Sequence, residues 1–188
     1  LVGRGLVLFP TRELAQQAHE TFQKITQIYK MRTAMLIGGE SIGRQLQTLK
    51  QKPRILIATP GRLSDFLQKK QVSLHDIKIL VLDEADRMLD MGFLPDMQFI
   101  LDNVKAERQS FFFSATMDRR VSQLIESFSN NPVTVSVKTS DTSENVHQNV
   151  VRYQSKEDKL EKLHDALIKD EVKKVIIFDE TQRSVERL

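Results

Sequence analysis

Hydrophobic positions along the chain fall into short unbroken runs, each stopped by a small polar or acidic turn that opens a helical pattern. "LVLF" leads into "PTRE", "ILIA" into "TPGR", "ILVL" into "DEAD", "SFFF" into "SATM" and "VIIF" into "DETQ", five repetitions of one arrangement. A strand buried on both faces reads as a continuous apolar run, because helices cover a parallel sheet above and below. The segments between the runs carry helical spacing. After "PTRE", Leu14, Ala18, Phe22, Ile25 and Tyr29 recur at steps of three and four and predict one apolar stripe. Thr11 is placed to cap that helix, and Ser155 with Asp158 predicts a capping box ahead of Leu160, Leu163 and Leu167. Alternating strands and helices predict an α/β fold, a doubly wound parallel sheet flanked by helices. Ligands of such sheets bind outside the carboxyl ends of the strands, so all five polar turns are expected to line one edge.

A shift in composition divides the chain. "KTSDTSEN", Lys138 to Asn145, is polar, aperiodic and rich in Ser and Thr, which predicts a linker over 138–146. Residues 1–137 then form one domain. A second begins at about 147, with a strand around Val146 to Tyr153, a helix from Lys156 to Lys169, a strand at Val175 to Phe178 and the start of another helix. The chain opens on Leu1 rather than Met, and neither edge reads as a natural terminus.

Composition excludes some classes. At 188 residues, 40% hydrophobic and 28% charged, the chain is that of a globular protein. No apolar run approaches the ~18 residues that a membrane span needs. The absence of cysteine removes disulfides and thiolate metal sites and suits a reducing cytoplasm. His19, His75, His147 and His164 lie too far apart to form a local ligand pair and read as ordinary surface or core residues. A net charge of +3 permits an anionic partner without specifying one.

The chemistry concentrates at the end of "ILVL", where Asp83, Glu84 and Asp86 crowd three carboxylates into four positions. Helix capping explains one such acid, since carboxylates gain about 0.3–1 kcal/mol at a helix N-terminus. Three exceed that explanation, and crowded carboxylates repel one another unless a cation offsets them. A buried strand that delivers an Asp to the sheet edge is the arrangement by which P-loop NTPases hold Mg²⁺ beside a phosphate. Glu84 would then orient or deprotonate the attacking water. Capping and metal-assisted phosphate chemistry both remain open on these residues alone. The matching phosphate loop, G-x-x-x-x-G-K-[ST], does not occur: "GGESIGRQ" has the glycine spacing at Gly38 and Gly43, but Arg44 and Gln45 replace the Lys and the hydroxyl.

Taken in order, "PTRELA", "GG" followed six residues later by Gln45, "TPGRL", "DEADRMLDMGF" and "SAT" resemble the first RecA-like domain of a bacterial-type DEAD-box ATP-dependent RNA helicase, and "VIIFDET" resembles a motif of its second. The resemblance implies a RecA-like parallel sheet flanked by helices plus the start of a second RecA-like domain, with ATP and Mg²⁺ as cofactors and RNA as partner. It assigns Asp83 to Mg²⁺ through water, Glu84 to the catalytic base, and Asp86 to a coupling contact with Ser114, Ala115 and Thr116. Contacts to the RNA backbone fall on Pro10, Thr11, Arg12, Gly38, Gly39, Thr59, Pro60, Gly61 and Arg62, with Phe178 and Thr181 from the second unit. Hydroxyls, glycine N–H groups, helix N-termini and Arg all donate to phosphate oxygens, so such a surface grips the backbone without reading sequence. Equally, "PTRE" and "TPGR" are good helix starts in their own right. The resemblance places the phosphate loop and the adenine-binding motif ahead of Leu1, and the arginine fingers after Leu188. These 188 residues alone are therefore expected to be inactive. The alternatives are a backbone-binding module without ATPase activity and a DNA helicase of the same superfamily.

Overall fold

The structure, a computed structural model, describes residues 3–105, 107–137, 149–169 and 173–187. It divides into two compact units, Leu1–Thr134 and Val135–Leu188. The predicted linker at 138–146, His147 and the start of the strand expected from Val146 lie outside the described residues.

The first unit alternates strand and helix. Its elements are β1 (Arg4–Leu8), α1 (Arg12–Ile28), β2 (Thr33–Leu36), α2 (Ile42–Lys50), β3 (Ile55–Ala58), α3 (Pro60–Gln68), β4 (Ile77–Leu82), α4 (Ala85–Asp90), α5 (Leu94–Asp102), β5 (Gln109–Phe112) and α6 (Arg119–Phe128). The strands form one parallel sheet in the order β2-β3-β1-β4-β5. The central strand β1 pairs Leu6, Val7 and Leu8 with Leu56, Ile57 and Ala58 on one side and with Leu80, Val81 and Leu82 on the other.

The expected layering holds on one face and thins on the other. Leu6, Leu8, Leu36, Leu56, Leu80 and Leu82 are fully buried in a core closed by α3, α5 and α6 through Leu63, Phe66, Met97, Ile100, Val121 and Leu124. The opposite face buries Val7, Phe9, Ile37 and Ile57 beneath Ala15 of α1, with Leu14, Ala18 and Phe22 packed alongside. This second cover stops short of β4 and β5, where Ile79 and Phe111 are 39% and 40% exposed.

Four points need correction. On α1 the stripe turns away at its end: Ile25 and Tyr29 are exposed and Thr26 is buried instead, because steps of exactly four track the core face better than the looser spacing read from sequence. Strand β2 is an addition to the five runs read above, although "AMLI", Ala34 to Ile37, also ends in a polar turn. It is an edge strand, and its burial alternates, with Thr33 and Met35 half-exposed between buried Ala34 and Leu36. In the second unit, α7 (Lys156–Leu167) and α8 (Gln182–Val185) form, but 149–153 and 173–179 form no strand. Val150, Ile176 and Phe178 there are more than four-fifths exposed. A lone pair of short strands without a covered face is marginal at best in water. The capping box of α7 is also half made. Ser155 Oγ accepts the Asp158 N–H, but Asp158 reaches back to the N–H of Gln154 rather than that of Ser155.

Candidate active site and nucleic-acid interface

The polar turns of the first unit meet at the carboxyl edge of its sheet because each strand stops where its ladder bonds run out. Asp83 N–H still bonds Leu8 O at 3.0 Å, Phe113 N–H bonds Leu82 O at 2.8 Å, and Ala85 N–H bonds Phe113 O at 2.9 Å. These bonds stitch the end of β1 to that of β4 and the end of β4 to that of β5. "DEAD" and "SAT" consequently lie side by side although nearly 30 residues separate them.

Asp86 joins the two turns. Its Oδ2 accepts the Thr116 hydroxyl at 2.8 Å and the Thr116 N–H at 2.9 Å, while its own N–H donates to Ser114 Oγ at 3.3 Å. Ser114 Oγ in turn donates to Thr116 O at 2.7 Å, which closes the turn around exposed Ala115. Partial burial pushes the Asp86 carboxyl up, but the hydrogen bonds from Thr116 and from the Arg87 N–H outweigh it and hold the group below the usual carboxylate range.

Glu84 stands in the left-handed region, φ 52° and ψ 52°, at the switch from β4 to α4. For a non-glycine residue that conformation costs about 1–2 kcal/mol, and cost of this kind gathers where a side chain must be aimed. Glu84 is the N-cap of α4 yet makes no side-chain cap bond; its Oε2 instead pairs with Arg87 Nη1 at 3.0 Å. Half-buried Asp83 accepts the Glu84 N–H at 3.0 Å through Oδ1 and leaves Oδ2 unbonded among the described residues. Capping accounts for one oxygen each of Asp83 and Asp86, which accept the Glu84 and Arg87 N–H groups, and leaves Asp83 Oδ2, the Asp86–Thr116 pair and the Glu84 carboxylate outside it.

A second constellation occupies the ends of β1, β2 and β3. Thr11 caps α1 by accepting the Leu14 N–H, and Pro60 is the first residue of α3, with Thr59 as N-cap. Gly39, at φ 77°, is the meeting point: the Arg12 guanidinium lies where a Cβ at Gly39 would have to go. From the other side Arg62 Nη1 donates to Glu40 O at 3.4 Å. Arg12 and Gly39 are exposed; Thr11, Gly38, Gly61 and Arg62 are half-buried. Pro10, Thr59 and Pro60 are buried, so what they contribute is the path of the backbone.

Gln45 holds this turn in place. Its side-chain amide spans Ile37, accepting the Ile37 N–H through Oε1 at 3.2 Å and donating Nε2 to Ile37 O at 3.0 Å. Sequence reasoning singles out Gln45 only for its spacing from the glycines. A stronger signal is present: Ile42, Gln45, Leu46 and Leu49 share one helical face, and a polar residue on an apolar stripe needs a dedicated partner. Missed altogether are Arg87 as partner of Glu84 and the left-handed backbone of Glu84. In the second unit Phe178 is 89% exposed. Thr181 caps α8 through a reciprocal box with Ser184.

Comparison with known proteins places this edge in a family. The sequence pattern of the DEAD/DEAH box helicases matches residues 2–125. The chain belongs to the DEAD/DEAH box helicase family. It is 40% identical, across 98% of its length, to the DEAD-box ATP-dependent RNA helicase CshA of Bacillus licheniformis, and 38% identical to CshA of Bacillus subtilis over the same share. The chain spans 38% and 37% of the length of those two relatives. Among solved structures, a DEAD box protein of Methanococcus jannaschii superposes with a TM-score of 0.70 at 30% identity, covering 91% of this chain and 46% of that one. The yeast DEAD-box splicing factor Prp28 gives 0.69 at 35% identity, covering 89% and 40%. The RecA-like fold expected for the helicase resemblance is thus shared with solved members of the family.

Proposed function

We propose that the protein to which these residues belong hydrolyses ATP in an RNA-dependent manner and uses the cycle to separate short RNA duplexes in the cytoplasm. The carrying observation is the Asp86–Thr116 pair: it fastens the strand end that bears Asp83 and Glu84 to the turn at the end of β5. A change around a bound phosphate at one strand end is then felt at the next.

Mg²⁺ fits this edge as a partly hydrated ion. Among the described residues no group of three or more His, Cys, Asp or Glu can cage a metal. Asp83 offers one open carboxylate oxygen, which is the donor set of an ion that keeps its waters and takes its remaining ligands from phosphates. When bound, it would offset the phosphate charge. Asp83 would hold it through water, and Glu84, once released from Arg87, would take the proton of the attacking water. Asp86, Ser114, Ala115 and Thr116 carry the coupling.

The RNA backbone lies along the ends of β1, β2 and β3. Arg12 and Arg62 supply charge, Thr11 and the amides of Gly38, Gly39 and Gly61 supply donors, and Pro10, Thr59 and Pro60 fix the helix starts that present them. Phe178 and Thr181 act from a second RecA-like domain that begins at about 147, after a linker over 138–146. ATP itself needs a phosphate loop, and no G-x-x-x-x-G-K-[ST] occurs in these 188 residues.

The test is phosphate release by the full-length protein with RNA, with DNA and with neither. RNA stimulation far above DNA stimulation is expected, along with a loss of at least about 100-fold on Glu84→Gln. Equal rates for the two enzymes would remove Glu84 from the base role, and equal stimulation by DNA would favour a DNA helicase. The 188 residues alone are expected to show no RNA-dependent turnover.

A further inference from the structure

The opposite, amino-terminal edge of the same sheet carries a charge pattern that the reaction does not use. Each strand begins on or beside a basic residue: Arg32 before β2, Arg54 before β3, Arg4 in β1, Lys78 in β4 and Arg108 before β5. Between them runs a shallow groove of about 480 Å³, lined by five cations, Arg4, Lys52, Arg54, Lys78 and Lys105, against two carboxylates, Asp76 and Glu107. Both carboxylates are already committed, Asp76 to Arg4 at 2.6 Å and Glu107 to Lys78 at 2.9 Å. Exposed Lys52 and Lys105 form no close ion pair among the described residues, although the Lys105 charge is felt at Glu107.

A bland account exists for basic residues here, because helices run antiparallel to the strands and present their negative C-terminal ends at this edge. Magnitudes argue against it as the whole explanation. The residue just past the C-cap of α1, α2 and α3 is Lys30, Lys52 and Lys70, each at φ near +50°. Left-handed backbone costs a lysine about 1–2 kcal/mol, whereas the helix dipole returns about 0.3–1 kcal/mol, and glycine would avoid the strain. Nor do Arg4, Lys78 and Lys105 belong to the last turn of any helix.

From this we infer that the amino-terminal edge is a second contact surface for RNA backbone, remote from the carboxyl-edge site, which holds a flanking stretch of a long RNA. The inference rests on the proposed RNA-binding function. Across β3, β1, β4 and β5 the groove extends over three strand spacings, roughly 14 Å. It is charged along its length, and its Pro53 is buried, so it lacks the apolar anchor that a protein partner would need. Lysines and arginines without hydrogen-bonding complementarity to bases grip phosphate and leave sequence unread.

The experiment uses the 188-residue chain and two fluorescent single-stranded RNAs, one short and one several times longer, with anisotropy followed across a salt series. Lys52→Glu with Lys105→Glu should weaken the long RNA about tenfold and make its log affinity less dependent on log salt by about 1.4, the value for two lost phosphate contacts on a single strand. The short RNA should be unaffected, and Lys52→Arg with Lys105→Arg should restore the long one. A circular-dichroism melt matching wild type shows that the double reversal is folded. Arg62→Ala reports separately on the carboxyl edge and should weaken both lengths; its failure would count against the proposed function while leaving the groove to be judged by the long RNA. Unchanged long-RNA affinity, an equal deficit for both lengths, no long-RNA binding by wild type, or displacement by an acidic peptide with no response to RNA would each overturn the inference.

Discussion

A single amide decides how well the glycine turn at the sheet edge is defined. Ile37 is buried at the end of β2, and both its backbone polar groups are satisfied by Gln45 rather than by a neighbouring strand. Gln45→Leu keeps the volume and the apolar stripe of α2 but orphans a buried donor and acceptor together, so a loss of about 1–3 kcal/mol is expected in urea unfolding. A change within error would mean that water replaces the amide at no cost. Because Gly38 and Gly39 follow directly, the same variant should also weaken RNA binding. Gly39 illustrates what sequence can and cannot show at this scale. Its place in a "GG" pair is legible, whereas the reason for it, a φ of 77° with Arg12 lying across it, is a long-range fact that no local spacing contains. Glu84 is similar: its charge is conspicuous in "DEAD", its left-handed backbone is not.

In the first unit, apolar runs that end in a polar turn are legible as strands, whether or not both faces are covered. "LVLF", "ILIA" and "ILVL" become β1, β3 and β4 and "SFFF" becomes the exposed edge strand β5, while edge strand β2 lies on "AMLI", a run of the same kind that the five-run reading passes over. Helix starts are readable from Thr11 and Pro60, but helix ends are not. Where sequence rules look for glycine, α1 and α3 close Schellman turns on lysine. Met31 N–H bonds Thr26 O at 3.0 Å after Lys30, and Gln71 N–H bonds Phe66 O at 2.8 Å after Lys70. Among the described residues only α4 uses glycine in the same turn, at Gly92, φ 80°, where Phe93 N–H bonds Met88 O at 3.0 Å. Lys70→Gly should therefore stabilise the first unit only slightly, by no more than about 0.5 kcal/mol, the relief of left-handed strain being nearly offset by the lost dipole interaction and the greater freedom of unfolded glycine. Thermal denaturation checks this, and a lowered melting temperature would mean that the Lys70 side chain contributes more than its backbone costs.

At the scale of the whole chain the two units differ in what holds them. Leu1–Thr134 has a sheet with one face fully covered and the other covered over β1 and β3, and its fully buried side chains include Leu6, Leu8, Leu56, Leu80 and Phe66. In Val135–Leu188 neither α7 nor α8 buries a single residue, and Leu160, Ile168, Ile176 and Phe178 are all substantially exposed. Local bonds are plentiful there: Lys162 Nζ to Asp158 at 3.1 Å, Lys159 Nζ to Asp179 at 3.4 Å and the Thr181–Ser184 box. Such contacts are worth little without burial, since exposed ion pairs contribute about 0–1 kcal/mol and short helices depend on packing for their stability. Hydrogen exchange on the 188-residue chain should therefore show the amides of β1, β3 and β4 protected to the level of global unfolding, while those of α7 and α8 exchange nearly as fast as an unfolded peptide. A shortened chain ending at Thr134 should melt at the same temperature as the longer one. Protection of α7 equal to that of β1 would show that apolar surface such as Leu160 and Ile168 is covered in solution, and that the second unit has a core of its own.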